Sequence, residues 1–249
     1  MVIHFITHAP LTCFLIVIHG VVFILEVEYA VKPWQAGLRA DITTLLSMGG
    51  VSAQTFKDVG AFRLLSSAFL HGDLVHLSIN MFALAFAGRM IEECFGKLSL
   101  LPVFILCASA ASLFSIVMNP PYILSIGASG AIMGMLFFGV TLFMLHPRYK
   151  DHVSKNIMLM HSLWIILPSL LPLARAGTQV TDYMSHVGGC VMGLSLGIFV
   201  TAFAAVKIIK KISKLLLQIL TLLAIATLLH TAFRVISEYP LFLKVFLEP

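Results

Sequence analysis

The sequence predicts an all-α polytopic membrane protein. Of its 249 residues, 59% are hydrophobic and only 11% are charged, and the mean hydropathy is +1.01. Soluble globular domains carry roughly 25% charged residues. The apolar residues also fall in runs of about 20, the length that a helix needs to cross about 30 Å of hydrocarbon. We therefore expect a single integral membrane domain over 1–249, with no sizeable soluble domain.

Seven apolar runs, each bounded by charged or turn-forming residues, are predicted to be membrane-spanning helices. In chain order they cover 11–31, 76–91, 98–118, 129–146, 157–174, 183–206 and 215–233. The first run carries Glu26 and Glu28 near its end and has no basic leader or cleavage-site pattern. We therefore expect it to be retained as a span.

The positive charges predict the orientation. Lysines and arginines concentrate after the second, fourth and sixth spans, at Arg89, Lys97, Arg148, Lys150, Lys155, Lys207, Lys210, Lys211 and Lys214. The positive-inside rule then puts the N-terminus in the cytoplasm and the C-terminus outside, in the cell (inner) membrane. The net charge of +5 reflects this bias, so we expect no nucleic-acid partner.

The stretch 32–72 is the long segment that lacks the pattern of a span. It mixes Trp34, Leu38, Phe56 and Phe62 with charged residues, which is typical of structure in the interfacial layer. A free linker would be richer in glycine, serine and charge. We expect an ordered interfacial element here, and loops of this length are often functional.

The cysteines give no case for a metal or redox site. Cys13, Cys94, Cys107 and Cys190 are scattered, without a CxxC pair and without a histidine at metal-ligand spacing. Free cysteines in apolar runs behave as small hydrophobic residues. We expect no metal and no cofactor.

Two polar residues share a helix face at the start of the second span. His76 and Asn80 are four residues apart, so they point toward the same neighbour. Both side chains donate hydrogen bonds, and two converging donors at reduced dielectric suit the stabilisation of an oxyanion. Taken alone, the pair is equally compatible with a structural bond to a neighbouring helix.

A serine with glycines on both sides opens the fourth span, in the run Gly127-Ala128-Ser129-Gly130. A serine at a helix N-terminus lies beside unpaired backbone N–H groups and the positive end of the helix dipole, which favour developing negative charge. Serine is also a common helix N-cap. The surrounding glycines favour the functional interpretation.

Glycines recur every four residues in two spans, at Gly130 and Gly134 in the fourth and at Gly189, Gly193 and Gly197 in the sixth. Small residues at this spacing let membrane helices approach closely, so we expect the two stripes to face one another. Close approach brings Ser129 and His186 within hydrogen-bond reach, and the histidine can then activate the serine as a nucleophile.

Asp182 precedes His186 by four residues and could orient it as the third member of a catalytic triad. Beside Thr181 it is also a good helix N-cap, which is the interpretation that we favour. A Ser-His dyad is sufficient for the predicted chemistry.

These motifs resemble those of the rhomboid family of intramembrane serine proteases. The matching pieces lie in the family's order over about 45–197: Phe62-Arg63, the His71, His76 and Asn80 pattern, Gly88 with Glu92 and Gly96, Gly127-Ala128-Ser129-Gly130, and His186-Val187-Gly188-Gly189 with Gly193. The resemblance implies a six-helix bundle over about 11–206, with its active site slightly below the outer surface. It also implies one extra C-terminal transmembrane helix over about 215–233.

The resemblance implies roles for the site residues. Ser129 would be the nucleophile and His186 its general base. His76, Asn80 and the backbone N–H of Ser129 would form the oxyanion hole.

The resemblance also implies that Arg63 and Glu92 stabilise the outer loop, and that the fifth span, with Trp164, lines the lateral path of a substrate helix. Two positions depart from the family pattern. Met133 stands where some relatives have an aromatic residue that packs on the catalytic histidine, and Phe62 stands where many have tryptophan. Neither change removes a reacting group.

We therefore expect an intramembrane serine endopeptidase that hydrolyses a peptide bond in or near the transmembrane helices of membrane-protein substrates in the lipid bilayer. The alternative is a non-catalytic rhomboid-like protein that binds transmembrane helices. Such relatives usually lack the serine or the histidine, whereas this chain has both. A carrier would show internal inverted repeats, and the two halves show none. The oligomeric state and the substrate stay open.

Overall fold

The computed structural model describes residues 8–28, 38–146, 148, 155–170, 181–204 and 209–238. Its helices, in chain order, are α1 (Pro10–Glu28), α2 (Ile42–Ser47), α3 (Ala53–Val59), α4 (Arg63–Ser66), α5 (Leu74–Phe95), α6 (Leu100–Met118), α7 (Ser129–Leu145), α8 (Lys155–Leu170), α9 (Tyr183–Ala204) and α10 (Ile209–Glu238). Short 3-10 helices cover Ser67–Phe69 and Lys97–Ser99.

In the described part of the chain, each of the seven predicted spans contains a long helix, and the all-α polytopic fold is confirmed. The predicted span ends at 29–31, 171–174 and 205–206 lie outside the described residues. Within the described ranges, α1, α5, α6, α9 and α10 are long and apolar enough to cross a membrane. The apolar helix α7 is shorter, with 17 residues. It measures about 25 Å, which is less than the roughly 30 Å thickness of the hydrocarbon layer. Its two ends therefore cannot both reach the membrane surfaces.

The stretch 32–72 is called the outer segment here, after the side of the membrane on which it is expected. Its described part, 38–72, is ordered into α2, α3, α4 and a 3-10 turn, as predicted. Trp34 lies outside the described residues. The Arg63 guanidinium ties the segment together, because its Nη1 donates to the carbonyl oxygens of Leu46 at 2.8 Å and Gly50 at 2.7 Å. Arg63 therefore stabilises the outer segment, as the family pattern implied.

Glu92 does not have the predicted role in the outer loop, and that expectation is wrong. Its buried carboxylate accepts hydrogen bonds from the backbone N–H of Leu11 at 3.2 Å and from the N–H and hydroxyl of Thr12, both at 2.6 Å. Glu92 lies in the last turn of α5, about 27 Å along the helix from the end that follows the outer segment. It caps the N-terminal turn of α1, whose free N–H groups need an acceptor.

The close approach of α1 to α5 depends on a small residue. Gly88 lies one turn before Glu92, and a Cβ at this position would overlap the side chain of Thr12. Glycine therefore lets Thr12 come near enough for its hydroxyl to reach the Glu92 carboxylate.

Helix α7 is the centre of the bundle and packs against α5, α6, α8 and α9. Most of its side chains are buried, including Met135, Leu136 and Phe143, which are fully buried. Because the lipid is as apolar as these side chains, the association depends on close packing more than on the hydrophobic effect.

The contact between α7 and α9 is made by glycine, as the two stripes predicted. A Cβ at Gly189 would overlap the carbonyl oxygen of Gly130, and a Cβ at Gly193 would overlap that of Gly134. The two backbones are therefore in direct contact over a full helical turn, which leaves no room for any side chain between them.

We predict that Glu92→Ala lowers the free energy of unfolding by about 2–3 kcal/mol, because buried N–H and hydroxyl groups of α1 lose their acceptor. Thermal or denaturant unfolding in detergent micelles measures the change. Glu93→Ala is the matched control, since Glu93 makes a 2.8 Å ion pair with Arg89 on the surface. Such exposed pairs contribute at most about 1 kcal/mol. Equal losses in the two variants would contradict the capping role.

Candidate active site

Ser129 is the first residue of α7. The helix N-cap is Ala128, which makes no side-chain capping bond, so the common N-cap role does not account for this serine. Gly127 precedes the helix with φ +105°, a conformation that side chains rarely adopt. The turn therefore starts the helix at Ser129, and the N-cap residue Ala128 supplies no side-chain acceptor at the positive end of the helix dipole.

Ser129 and His186 are brought together at the ends of α7 and α9. The Oγ of Ser129 lies 2.8 Å from Nε2 of His186, and the histidine is buried at 4% exposure. His186 is in the first turn of α9, three residues before Gly189, where the close contact with α7 begins. The pair has the separation that a nucleophile and its general base require.

Asp182 caps α9, which confirms the favoured interpretation. Its carboxylate accepts from the backbone N–H of Ser185 at 3.0 Å, the hydroxyl of Ser115 at 2.6 Å and the amide of Asn119 at 2.8 Å. Ser115 and Asn119 belong to the C-terminal end of α6. Asp182 therefore fixes the start of α9, and with it His186, to a neighbouring helix.

An aromatic ring contacts His186 from its own helix. The Tyr183 ring lies edge-on to the imidazole, with 6.4 Å between centroids and an 80° angle between planes. Met133, the position that is aromatic in some relatives, is buried within α7. Sequence reasoning missed Tyr183, although its spacing of three residues from His186 on a helix is a usable signal.

His76 and Asn80 converge on the turn before Ser129. A Cβ at Gly127 would lie 2.8 Å from both Cε1 and Nε2 of His76 and 3.4 Å from Nδ2 of Asn80. Asp73 holds the start of α5 here, since its side chain accepts from the N–H of His76 at 2.8 Å. Both predicted donors therefore lie against the residue two positions before the serine.

The Asn80 amide is a donor without a partner. In the part of the chain that the structure describes, its buried Nδ2 makes no hydrogen bond, and neither does the buried Nδ1 of His76. Buried polar groups are normally satisfied, because an unpaired one costs about 1–3 kcal/mol. Within the described residues, these two nitrogens therefore make no hydrogen bond to a neighbouring helix, which was the structural alternative.

The turn before Ser129 is tied to the outer segment. The N–H of Gly127 donates to the carbonyl oxygen of Ser67 at 2.9 Å. Ser125 and Val51 exchange two backbone hydrogen bonds, at 2.7 and 3.3 Å. These bonds hold Ser129 in register with the 3-10 turn and the loop between α2 and α3.

Buried ionisable residues continue from His76 into α1. The ring of His71 lies edge-on to that of His76 at 5.0 Å, and the ring of His19 lies 5.6 Å from His71. The Glu26 carboxylate accepts from the backbone N–H of His71 at 3.0 and 3.2 Å. Sequence reasoning did not connect His19 and Glu26 with the site, although ionisable residues within a span are a signal of function.

Burial, followed by the neighbouring His76 and His19, lowers the pKa of His71 well below its usual value. His71 is therefore neutral at neutral pH. Among the described residues, no group of three or more His, Cys, Asp or Glu side chains has the arrangement of a metal site.

Comparison with known proteins gives a consistent result. Residues 59–203 match the family model for the Rhomboid domain. RHOMBOID-like protein 5 of Arabidopsis thaliana is 30% identical over 161 residues, which cover 64% of this chain and 50% of that protein. Rhomboid-like protease 3 of Toxoplasma gondii is 27% identical over 153 residues, 61% of this chain and 57% of that protein.

A further relative, Rhomboid-like protease 5 of Toxoplasma gondii, is 28% identical over 152 residues, which cover 61% of this chain and 18% of that protein. The chain spans about half the length of the first of these relatives. The matched range contains Ser129, His186, His76 and Asn80.

We predict that Gly189→Ala lowers the free energy of unfolding by about 1–3 kcal/mol, because the added Cβ overlaps the Gly130 carbonyl and forces α7 and α9 apart. Gly20→Ala on α1 is the control, since nothing lies within 4 Å of its Cβ position. That change is expected to be neutral or to stabilise by up to about 1 kcal/mol. Unfolding in micelles measures both, and similar stabilities would contradict the glycine contact.

Proposed function

The chain belongs to the rhomboid family, and on this premise we propose that it is an intramembrane serine endopeptidase that hydrolyses a peptide bond in or near a transmembrane helix of a membrane-protein substrate. One observation carries the proposal: the 2.8 Å separation of Ser129 Oγ and His186 Nε2 at adjoining helix ends. A neutral serine is a poor nucleophile, and a base at this distance can take its proton.

In the proposed reaction, Ser129 Oγ attacks the scissile carbonyl carbon while His186 Nε2 accepts the hydroxyl proton. The tetrahedral intermediate collapses when the imidazolium donates that proton to the leaving amine, which gives an acyl-enzyme. A water molecule then attacks the acyl carbon while His186 accepts its proton. The imidazolium returns this proton to Ser129 Oγ as the acyl–oxygen bond breaks, which releases the carboxylic acid and restores the serine.

The negative charge that develops on the substrate carbonyl oxygen needs fixed donors. Three are available at one place: the Asn80 amide, the His76 ring and the backbone N–H of Ser129. The unpaired Asn80 Nδ2 supports this role, because a donor that is already desolvated needs no reorganisation when the oxyanion forms.

The partners that fit this site are transmembrane helices of other membrane proteins, presented from the lipid bilayer. A hydrogen-bonded helix hides its carbonyl groups, so a substrate must unwind locally before attack. We assign the lateral path to α8, where Trp164 is 75% exposed. The protein would lie in the cell (inner) membrane with its N-terminus in the cytoplasm, its C-terminus outside and its site open to the outer side.

The non-catalytic alternative explains less. A protein that only binds helices has no need of a serine and a histidine at hydrogen-bond distance, or of a buried amide donor without a partner, which is a free-energy cost. Sites that combine such features are typically functional.

We predict that Ser129→Ala and His186→Ala each reduce cleavage of a fluorogenic transmembrane substrate by about 10⁴-fold or more, because the nucleophile and base act as a unit. Purified protein in detergent or vesicles provides the assay. Ser195→Ala is the control, since this exposed serine on α9 bonds only to its own helix in the described structure. Retained binding without any wild-type cleavage would support the non-catalytic alternative.

We predict that Asn80→Ala and His76→Ala each lower kcat by roughly 100- to 1000-fold while the protein stays folded, since each removes one oxyanion donor. Ser78→Ala on the same helix is the control, because its hydroxyl is exposed and bonds to the Leu74 carbonyl. Steady-state kinetics measure kcat, and a melting curve of each variant shows whether the protein stays folded. Unchanged rates in both variants would remove the oxyanion assignment.

A further inference from the structure

The last long helix, α10, packs against α4 of the outer segment, and one of the contacts joins a cation to an aromatic ring. The guanidinium carbon of Arg234 lies 5.5 Å from the centroid of the Phe62 ring. This is within the roughly 6 Å at which a cation is attracted to an aromatic face. Phe62 is 8% exposed, so the ring is held among its neighbours and the contact is largely shielded from solvent.

The position of Arg234 is set by a packed helix. Helix α10 packs against α4, α6 and α9, and near its middle the Thr221 hydroxyl donates to the carbonyl oxygen of Leu98 at 3.0 Å. Thr221 and Arg234 are about 20 Å apart along the helix. The helix is thus attached both to the turn after α5 and to the outer segment on the opposite side of the bundle.

Phe62 is connected to the nucleophile by a short series of backbone contacts. It is the N-cap residue of α4, and its carbonyl oxygen accepts from the N–H of Ser66 at 3.0 Å. The next residue, Ser67, accepts from the N–H of Gly127, two positions before Ser129. A shift of α4 therefore moves the turn on which Ser129 is placed.

None of the four proposed site residues belongs to α10, and within the described residues this helix has no extensive contact with α8, where we assign the substrate path. We propose that Arg234 is a positioning residue: through its contact with Phe62, α10 holds α4 and the 3-10 turn in place and so sets the geometry of Ser129. This inference rests on the proposed proteolytic function. It assigns the extra helix a role in the rate of the reaction and none in substrate binding.

Arg63 makes the test selective. Its guanidinium carbon lies 5.6 Å from the same Phe62 ring, and it remains bonded to the Leu46 and Gly50 carbonyls when Arg234 is replaced. Removal of Arg234 therefore takes away the contact between its guanidinium and the Phe62 ring, while the outer segment keeps its own internal bonds.

The experiment is a double-mutant cycle with Arg234→Ala and Phe62→Leu, measured as kcat and KM on a fluorogenic transmembrane substrate in vesicles, and as thermal unfolding in micelles. We expect each single change to lower kcat about three- to tenfold with KM within twofold, and the double variant to be no slower than the slower single variant. Arg234→Lys keeps a cation and should recover at least half of the wild-type kcat. His230→Ala, an exposed residue one turn earlier on α10, is the matched control.

The inference would be overturned if the fold losses in kcat of the two single variants multiplied in the double variant. It would also be overturned if Arg234→Ala were as fast as His230→Ala. The same follows from a change in KM alone, or from a loss that Arg234→Lys does not recover. Failure of the proposed function has a different signature: the wild-type protein then cleaves nothing, while coupled unfolding of the two variants still reports the contact of α10 with the outer segment.

Discussion

The direct backbone contact between α7 and α9 is the constraint on which the candidate site depends. Glycines at 130, 134, 189 and 193 leave no side chain between the two helices, and the carbonyl oxygens of one lie against the α-carbons of the other. Ser129 and His186 are then adjacent because each lies at the end of its helix on the same side of the contact. A separation larger by one methyl group would carry Ser129 Oγ and His186 Nε2 beyond hydrogen-bond distance.

Around this contact, each group of the site is fixed from a different part of the chain. Asp182 ties the start of α9 to α6, and Ser67 ties the turn before α7 to the outer segment. Helix α5 contributes Asn80 and His76 from a third direction. A site assembled from three helices and a loop is stiff only if those pieces are bonded to one another, and these bonds perform that task.

Much of this arrangement follows from patterns along the sequence. Apolar runs of about 20 residues predict the long helices, and glycines four apart predict which two of them touch, because both signals reflect local periodicity. The spacing of His76 and Asn80 likewise places both on one face. The chemistry that we propose for Ser129 and His186 follows from residue type once the two helices are known to meet.

The contacts that were missed join residues far apart in sequence, without a repeating pattern. The Glu92 carboxylate reaches Leu11 and Thr12 because α1 docks antiparallel on α5, which periodicity alone does not specify. The same holds for Arg234 and Phe62, which meet only after seven long helices are packed. Tyr183 is different, because its position one turn before His186 on the same helix is a local spacing that the sequence shows.

We propose that Ser129 is a nucleophile activated by His186. The most direct measurement is to treat membranes containing the protein with a serine-directed fluorophosphonate and to locate the adduct by mass spectrometry. We expect a single adduct on Ser129 that forms in the wild-type protein and is lost in His186→Ala. An adduct on a different residue, or one on Ser129 that forms equally fast without His186, would contradict it.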